Sequence, residues 1–185
     1  MKIRNLLTIA AVAVSLAATG AFAQSDKEKK QAEVRAKTEQ SLADFYKAEP
    51  KLKAEVGKAP GYAVFTTYGL SFLVGGSGGK GVAHDAKTKK NTYMDLAQAT
   101  AGLQLGATEA RYLFVFADPK ALQQFIDSGW EAGAEGGAGA GAGKAAAGGT
   151  GGMFQGGKVY SLTKNGLQAG GMVTGTKVWK DKELN

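Results

Sequence analysis

Residues 111–128 read RYLFVFADPKALQQFIDS and predict a buried strand followed directly by a helix. The run Arg111–Phe116 is apolar on both faces, which is typical of a central strand. Asp118 and Pro119 are favoured where a helix begins, and Gly129 is favoured where one ends, so the helix is expected to reach Ser128. Its buried face would comprise Ala121, Leu122, Phe125 and Ile126. This stretch predicts a domain that combines a sheet with a helix.

Strand-forming sequence surrounds this unit on both sides. Upstream, alternating apolar residues predict strands at Tyr62–Tyr68, Leu70–Val74, Val82–His84 and Leu103–Ala107, with a turn at Gly69 and a glycine-dense turn over 75–81. Downstream, Lys158–Thr163 is followed by Asn165-Gly166, a hairpin signal, and then by a returning strand over Leu167–Val173 and Thr176–Trp179. The predicted fold class is α+β: a glycine-rich, mainly antiparallel sheet or partly closed barrel, an N-terminal helical segment and one further helix.

Residues 26–58 predict that helical segment. Val34, Thr38, Ser41, Leu42 and Phe45 fall on one face of a helix, and the remaining positions are mostly charged or polar. Asp26 is a candidate cap at the start, and Pro50 separates a second short helix that buries Leu52 and Val56 and ends at Gly57. The helix either docks on the domain or lies on a membrane surface. Membrane-surface helices carry bulkier apolar faces, so the thin stripe favours docking.

The first 23 residues have the pattern of a secretory signal peptide. Lys2 and Arg4 precede an apolar run over Leu6–Ala18, and Ala21-Phe-Ala23 forms a small-x-small cleavage site. A retained membrane anchor is the alternative, but the run is short for a bilayer span. We expect cleavage after Ala23 and a periplasmic or secreted mature chain that associates peripherally with membrane. Cleavage would leave 21 basic and 16 acidic residues, a net charge of +5.

A tract rich in glycine and alanine follows Trp130. Residues 133–157 contain 12 glycines in 25 positions, and up to Ala142 alanines and glycines mostly alternate. A strand built this way would present one glycine face to a close neighbour. A flexible linker fits the same composition. We expect a strand to about Ala142 and a mobile loop over 144–157.

The composition disfavours most enzyme classes. The 185 residues include no cysteine and one histidine, which excludes disulfides, thiolate metal sites and cysteine nucleophiles. The glycine-dense segment Gly75–Gly81 lacks the spacing of a phosphate-binding loop. His84 and Asp85 are adjacent, so on a strand they would point to opposite faces and would not pair, and His84 is predicted at the surface. The carboxylates of Asp95, Glu109, Glu131 and Glu135 show no acid–base spacing, so no catalytic residue, cofactor or metal site is assigned.

Positive charge is the most suggestive functional feature. The whole chain carries a formal net charge of +7, and Lys87, Lys89 and Lys90 cluster in one predicted turn with Lys80 upstream. A further group, Lys177, Lys180 and Lys182, lies near the C-terminus. Such lysines either bind an anionic membrane surface or simply keep the protein solvated. Nucleic acid is disfavoured by the export signal and by the presence of only two arginines after residue 23.

Several short blocks resemble the SYLF domain family in their order and spacing. They are Val64-Phe65, Phe72-Leu-Val-Gly-Gly76, Gly79-Lys-Gly-Val82, Ala101-Gly-Leu-Gln-Leu-Gly-Ala107, Leu113-Phe-Val-Phe116 with Ala121-Leu122 and Phe125, Gly133-Ala134, Val159-Tyr-Ser-Leu162 and Asn165-Gly-Leu167. The resemblance covers about residues 40–178. Thr66 stands where the family often has proline, and the tract over 136–157 is lower in complexity than usual.

The resemblance implies a lipid-binding module without an established catalytic set. Eukaryotic members bind phosphoinositides and are linked to actin patches, whereas bacterial relatives are often exported, so actin contact is not carried over. We expect a signal peptide (1–23), a helical segment (24–58) and a SYLF-like β-rich domain (59–185), with 24–185 as one folding unit. The expected function is non-enzymatic binding of anionic phospholipid or a membrane surface through Lys80, Lys87, Lys89 and Lys90. The alternative is an envelope structural or protein-interaction module that uses the Gly/Ala-rich surface, with an unknown protein partner.

Overall fold

A computed structural model of the chain describes residues 4–71, 74–101, 106–132, 152–154, 156–163, 166–169 and 176–185. Within these residues lie three helices, α1 (Arg4–Ala48), α2 (Lys51–Lys58) and α3 (Pro119–Ser128). They accompany nine strands: β1 (Gly61–Ser71), β2 (Val74–Asp85), β3 (Asn91–Ala101), β4 (Gly106–Phe116), β5 (Trp130–Glu131), β6 (Gly152–Phe154), β7 (Gly157–Thr163), β8 (Gly166–Ala169) and β9 (Thr176–Lys180). The predicted α+β class is confirmed.

The strands form one antiparallel sheet in the order β5-β9-β3-β2-β1-β4-β7-β6, and β8 pairs with β7 beside β6. The sheet curves into a half-barrel, because Trp130 on β5 and Phe154 on β6 both contact the central Phe114, and their own ring centroids lie 6.2 Å apart. Strands at opposite ends of the sheet thus meet over its middle.

Two sets of buried side chains lie on opposite faces of this sheet. The inner face carries Phe65, Met94 and Phe114 and is filled by Leu122, Phe125 and Ile126 of α3. The outer face carries Val64, Leu113, Val115 and Tyr160 and is covered by Phe45 of α1 with Leu52 and Val56 of α2. A Cβ at Gly81 would lie 2.5 Å from the ring of Phe65, so this glycine makes room for the inner core.

The helices follow most of the sequence rules. In α3, the Asp118 carboxylate accepts a hydrogen bond from Ala121 N at 2.8 Å, and the helix ends before Gly129, as predicted. The predicted stripe on α1 also docks on the sheet, with Ser41 Oγ 2.8 Å from Thr66 Oγ1. Asp26 is not a cap, because α1 is continuous from Arg4 through the predicted cleavage site.

Two predicted turns and one predicted strand pairing were wrong, and one strand was not predicted. Gly69 does not form a turn, since it pairs with both Ser77 and Thr108 inside β1, and ladder bonds on both edges offset its low strand propensity. The glycine-dense segment 75–81 is likewise part of strand β2, and β3 was not predicted at all. Thr176–Trp179 does not return along β7, because β9 pairs with β3 at the other side of the sheet.

The hairpin at the end of β7 is confirmed, although its two-residue connection is shifted by one. Thr163 pairs with Gly166, whose φ of 97° is readily adopted by glycine, so the connecting positions are 164 and 165 rather than 165 and 166. The expected strand up to Ala142 lies outside the described residues. The expected loop over 144–157 is wrong at its end, where Gly152–Phe154 forms β6 and Gly157 begins β7.

The last described residues hold the middle of α1 against the sheet. Leu184 packs with Val34, Val82 and Tyr93 in a small apolar cluster. Gln31 Nε2 donates to Leu184 O at 2.7 Å, and Lys27 Nζ donates to Asn185 O at 2.8 Å. Segments separated by more than 150 positions in the sequence are therefore joined by direct hydrogen bonds.

Candidate functional site

The turn between β2 and β3, residues 85–90, is ordered by its own backbone and is called the lysine turn below. The Asp85 carboxylate accepts hydrogen bonds from Lys87 N at 2.8 Å and Thr88 N at 2.9 Å. Lys89 N donates to Asp85 O at 2.9 Å, and Lys89 has a positive φ of 59°. The backbone N–H of Thr88 is the largest influence on Asp85 and lowers the pKa of this carboxyl. The ionised carboxylate therefore holds the backbone of the turn, and its negative charge still offsets part of the positive charge of the neighbouring lysines.

Three of the four predicted site residues lie in this turn. Lys87, Lys89 and Lys90 are all exposed, and no carboxylate among the described residues lies within 4 Å of their ammonium groups. Three positive charges within four consecutive positions therefore stand on an ordered backbone, and no described carboxylate forms an ion pair with them. The structure places these three residues in the turn where the sequence predicted one.

Lys80, the fourth predicted site residue, has different surroundings. It lies on β2, five positions before Asp85, where its Nζ contacts Oδ1 of Asp95 at 2.8 Å and Oδ2 of Asp181 at 2.5 Å. The Asp181 side chain is only 2% exposed and also accepts hydrogen bonds from Glu183 N and Leu184 N. We call these three residues the Lys80 cluster. It ties β2 to β3 and to the C-terminal turn.

Both ends of the Lys80–Asp181 pair have shifted pKa values. Burial alone would lower the pKa of Lys80, but hydrogen bonds to Asp181 and Asp95 outweigh it and raise the pKa above 10.5. Burial alone would raise the pKa of Asp181, but Lys80 and the backbone donors outweigh it and lower the pKa below 3.8. The pair is therefore charged at neutral pH, and Lys80 already has anionic partners within the protein.

A pocket of about 340 Å³ lies next to the Lys80 cluster, between α1 and the first two strands. Its described lining residues are Lys30, Glu33, Val34, Lys37, Thr66, Gly79 and Lys80. Glu33 and Lys37 form an ion pair at 2.8 Å across one helical turn. The charges at the mouth of the pocket are thus largely matched within the protein.

Other residues considered from the sequence do not assemble into a catalytic arrangement. His84 is partly exposed on β2, where its ring packs 5.1 Å from that of Tyr62 and its Nδ1 lies 2.7 Å from Asn91 Oδ1. Glu109 and Glu131 lie in ion pairs with Arg111 and Lys177, while Glu135 lies outside the described residues. In the part of the chain that the structure describes, no group of three or more His, Asp or Glu side chains could hold a metal ion.

Sequence reasoning missed the partners of Lys80. Asp95 was considered only as an isolated carboxylate, and Asp181 was not considered. Their approach depends on the pairing of β2 with β3 and on the C-terminal turn, where Lys80 pairs with Asp95 across the two strands. A predicted β3 would have placed Asp95 opposite Lys80; the contact with Asp181 has no local signal.

None of the helices within the described residues is both long and apolar enough to cross a membrane. Residues 97–185 match the family Ysc84, described as "Las17-binding protein actin regulator". The chain is also 32% identical over 146 residues to Beta cell expansion factor A from Aeromonas veronii. That alignment covers 78% of this chain and 54% of the relative, so the chain spans about half the length of that protein. The lysine turn precedes the residues matched by the family. These similarities confirm the predicted resemblance to the Ysc84 (SYLF) family.

Proposed function

We propose that this protein is an exported, non-enzymatic lipid-binding protein that associates with anionic membrane surfaces through the lysine turn. Similarity to this family supports a lipid-binding or actin-related role. The export signal in residues 1–23 favours the lipid-binding role, because actin is not expected in the periplasm. N-terminal sequencing of the protein from a native host tests export directly: the first residue should be Gln24, and an intact Met1 would contradict it.

The observation that carries the proposal is the exposure of Lys87, Lys89 and Lys90 on an ordered turn, where none of them forms an ion pair with a described carboxylate. Near an anionic bilayer, each such lysine contributes about 1 kcal/mol. Acting together they would strengthen binding by about 100-fold, and salt would weaken the effect because exposed charges are screened. A turn that is already ordered loses little backbone entropy on contact.

Lys80 is expected to contribute less than the turn lysines. Its ammonium group already contacts Asp95 and Asp181, so a phosphate would have to compete with two carboxylates. The exposed fraction of its side chain, 45%, still allows a weak, longer-range attraction. We therefore assign the main contact to the lysine turn and a supporting one to Lys80.

Vesicle flotation tests this assignment. The triple variant Lys87→Glu, Lys89→Glu and Lys90→Glu should bind phosphatidylglycerol-containing vesicles about 100-fold more weakly at low salt, or not at all. The matched control replaces the exposed Lys47, Lys51 and Lys53 by Glu, which changes the net charge equally but at the junction of α1 and α2. The control should retain most of the binding, and neutral vesicles should bind neither protein.

Equal binding by the two triple variants would show that overall charge, not the lysine turn, decides the affinity. Absence of binding by the unmodified protein at low salt would contradict the proposed function itself. Recovery of one stoichiometric protein partner in place of vesicle binding would favour the alternative, an interaction module that uses the Gly/Ala tract.

A further inference from the structure

Trp179 is the one exposed large apolar side chain among the described residues. It is 39% exposed, whereas Trp130, the other tryptophan, is 6% exposed and lies in the inner core. Trp179 lies on β9 opposite Asp95 of β3. Its exposure is unusual in a sheet whose other described aromatic residues are buried or half-buried.

The pairing between β5 and β9 ends just before this residue. The short β5 pairs only with Lys177 and Val178, so no strand among the described residues pairs with β9 on that side from Trp179 onward. Lys180 and Lys182 follow directly, are exposed, and have no carboxylate within 4 Å among the described residues. At this corner, the end of β9, an exposed indole therefore lies close in sequence to two exposed lysines, although Lys180, opposite the buried Met94, points to the other face of the strand.

This corner lies near the lysine turn. Trp179 pairs with Asp95, which is four positions along β3 from Asn91, where the turn ends. Four strand residues span about 13 Å, which is small compared with the footprint of a domain on a flat bilayer. One membrane surface can therefore meet both the lysine turn and the corner at Trp179.

Resting on the proposed function, we propose that Trp179 is an interfacial anchor that enters the headgroup region of the same anionic membrane, with the exposed Lys182 at the lipid phosphates. Tryptophan is enriched at membrane–water interfaces because its ring is largely apolar and its indole N–H remains hydrogen-bonded there. The lysines alone would attract the protein to the membrane surface by electrostatics, without placing an apolar group in the headgroup region. Trp179 would add a short-range contact that salt does not screen.

Intrinsic fluorescence tests the anchor in the full protein. Adding phosphatidylglycerol vesicles should shift the tryptophan emission to shorter wavelength, and lipids brominated near the headgroup should quench it. Both signals should disappear in Trp179→Phe, because the remaining Trp130 is buried. Trp179→Ala should weaken vesicle binding by about tenfold at high salt, as expected for removing an apolar surface of this size from the contact. Lys29→Ala, at an exposed position on α1, is the matched control and should bind normally.

The possible results separate the two proposals. If the unmodified protein floats with anionic vesicles while its emission is unchanged and Trp179→Ala binds equally, the anchor is wrong and the proposed function stands. If the unmodified protein does not bind these vesicles, both are wrong. If Trp179→Ala instead abolishes self-association seen in sedimentation while leaving vesicle binding intact, the corner is an interface between two copies of the chain, and the anchor is overturned.

Discussion

Replacing Lys80 by methionine should destabilise the fold, because it leaves Asp181 charged and buried without its cation. Removing one partner of a fully buried ion pair costs roughly 3–5 kcal/mol. Here Lys80 is 45% exposed, and Asp181 keeps its two backbone donors, Glu183 N and Leu184 N. We therefore expect a smaller loss in the free energy of unfolding, about 2 kcal/mol at pH 7. Methionine keeps most of the apolar stem, so the loss reports the charge rather than a cavity.

Urea denaturation and thermal unfolding measure the effect. A loss of about 2 kcal/mol should lower Tm by about 4–8 °C in a domain of this size. Lys89→Met is the matched control: it removes an exposed lysine of the lysine turn and should change the free energy of unfolding by less than about 0.5 kcal/mol. A double-mutant cycle with Asp181→Asn isolates the coupling, which should exceed about 1 kcal/mol. Equal stabilities of Lys80→Met and Lys89→Met, or a coupling near zero, would refute this reasoning.

The pH dependence of unfolding and a core substitution provide two further tests. The folded-state pKa is lowered for Asp181 and raised for Lys80, so the stabilisation from this pair should be fully present between about pH 4 and 10. It should be lost as the pH falls through the folded-state pKa of Asp181 or rises through that of Lys80. In urea denaturation at a series of pH values, Lys80→Met should lose less stability on acidification than the unmodified protein does, and an equal loss would contradict the assignment. Ser161 is 2% exposed, and its hydroxyl has no hydrogen-bond partner among the described residues. Ser161→Ala should therefore leave the free energy of unfolding unchanged or raise it by up to about 1 kcal/mol. A clear loss of stability in urea denaturation would contradict this and would indicate a contact of the hydroxyl.

Local sequence signals predicted the elements that are stabilised by contacts between residues close in the sequence. The helix α3 was correct to the residue because Asp118, Pro119 and Gly129 act within one turn of its ends. The predicted buried stripe on α1 was also correct, including its polar residues. The hydroxyl of Thr38, for example, donates to Val34 O within the same helix, so its burial needs no distant partner. Periodicity and capping describe these features without any knowledge of the rest of the chain.

Elements fixed by distant partners were not predicted. The strand β3 buries Gln98 on the inner face, where the amide donates to Thr176 Oγ1 at 3.0 Å, and this polar position interrupts the apolar alternation. Gly69 indicates a turn by itself but is held extended by strands on both sides. The same limit applies to the candidate site: the lysine turn is contiguous and was predicted, whereas the partners of Lys80 lie 15 and 101 positions away.

The hydrogen bonds from Gln31 and Lys27 to the two final described residues affect the timing of assembly during synthesis. These contacts span 153 and 158 positions, so they cannot form until residues 184 and 185 have left the ribosome. Until then the middle of α1 lacks its polar attachment and Val34 lacks its packing partner Leu184. Contacts of such long range form late and slow the search for the native state. This part of the fold is therefore completed only after residue 185 has emerged.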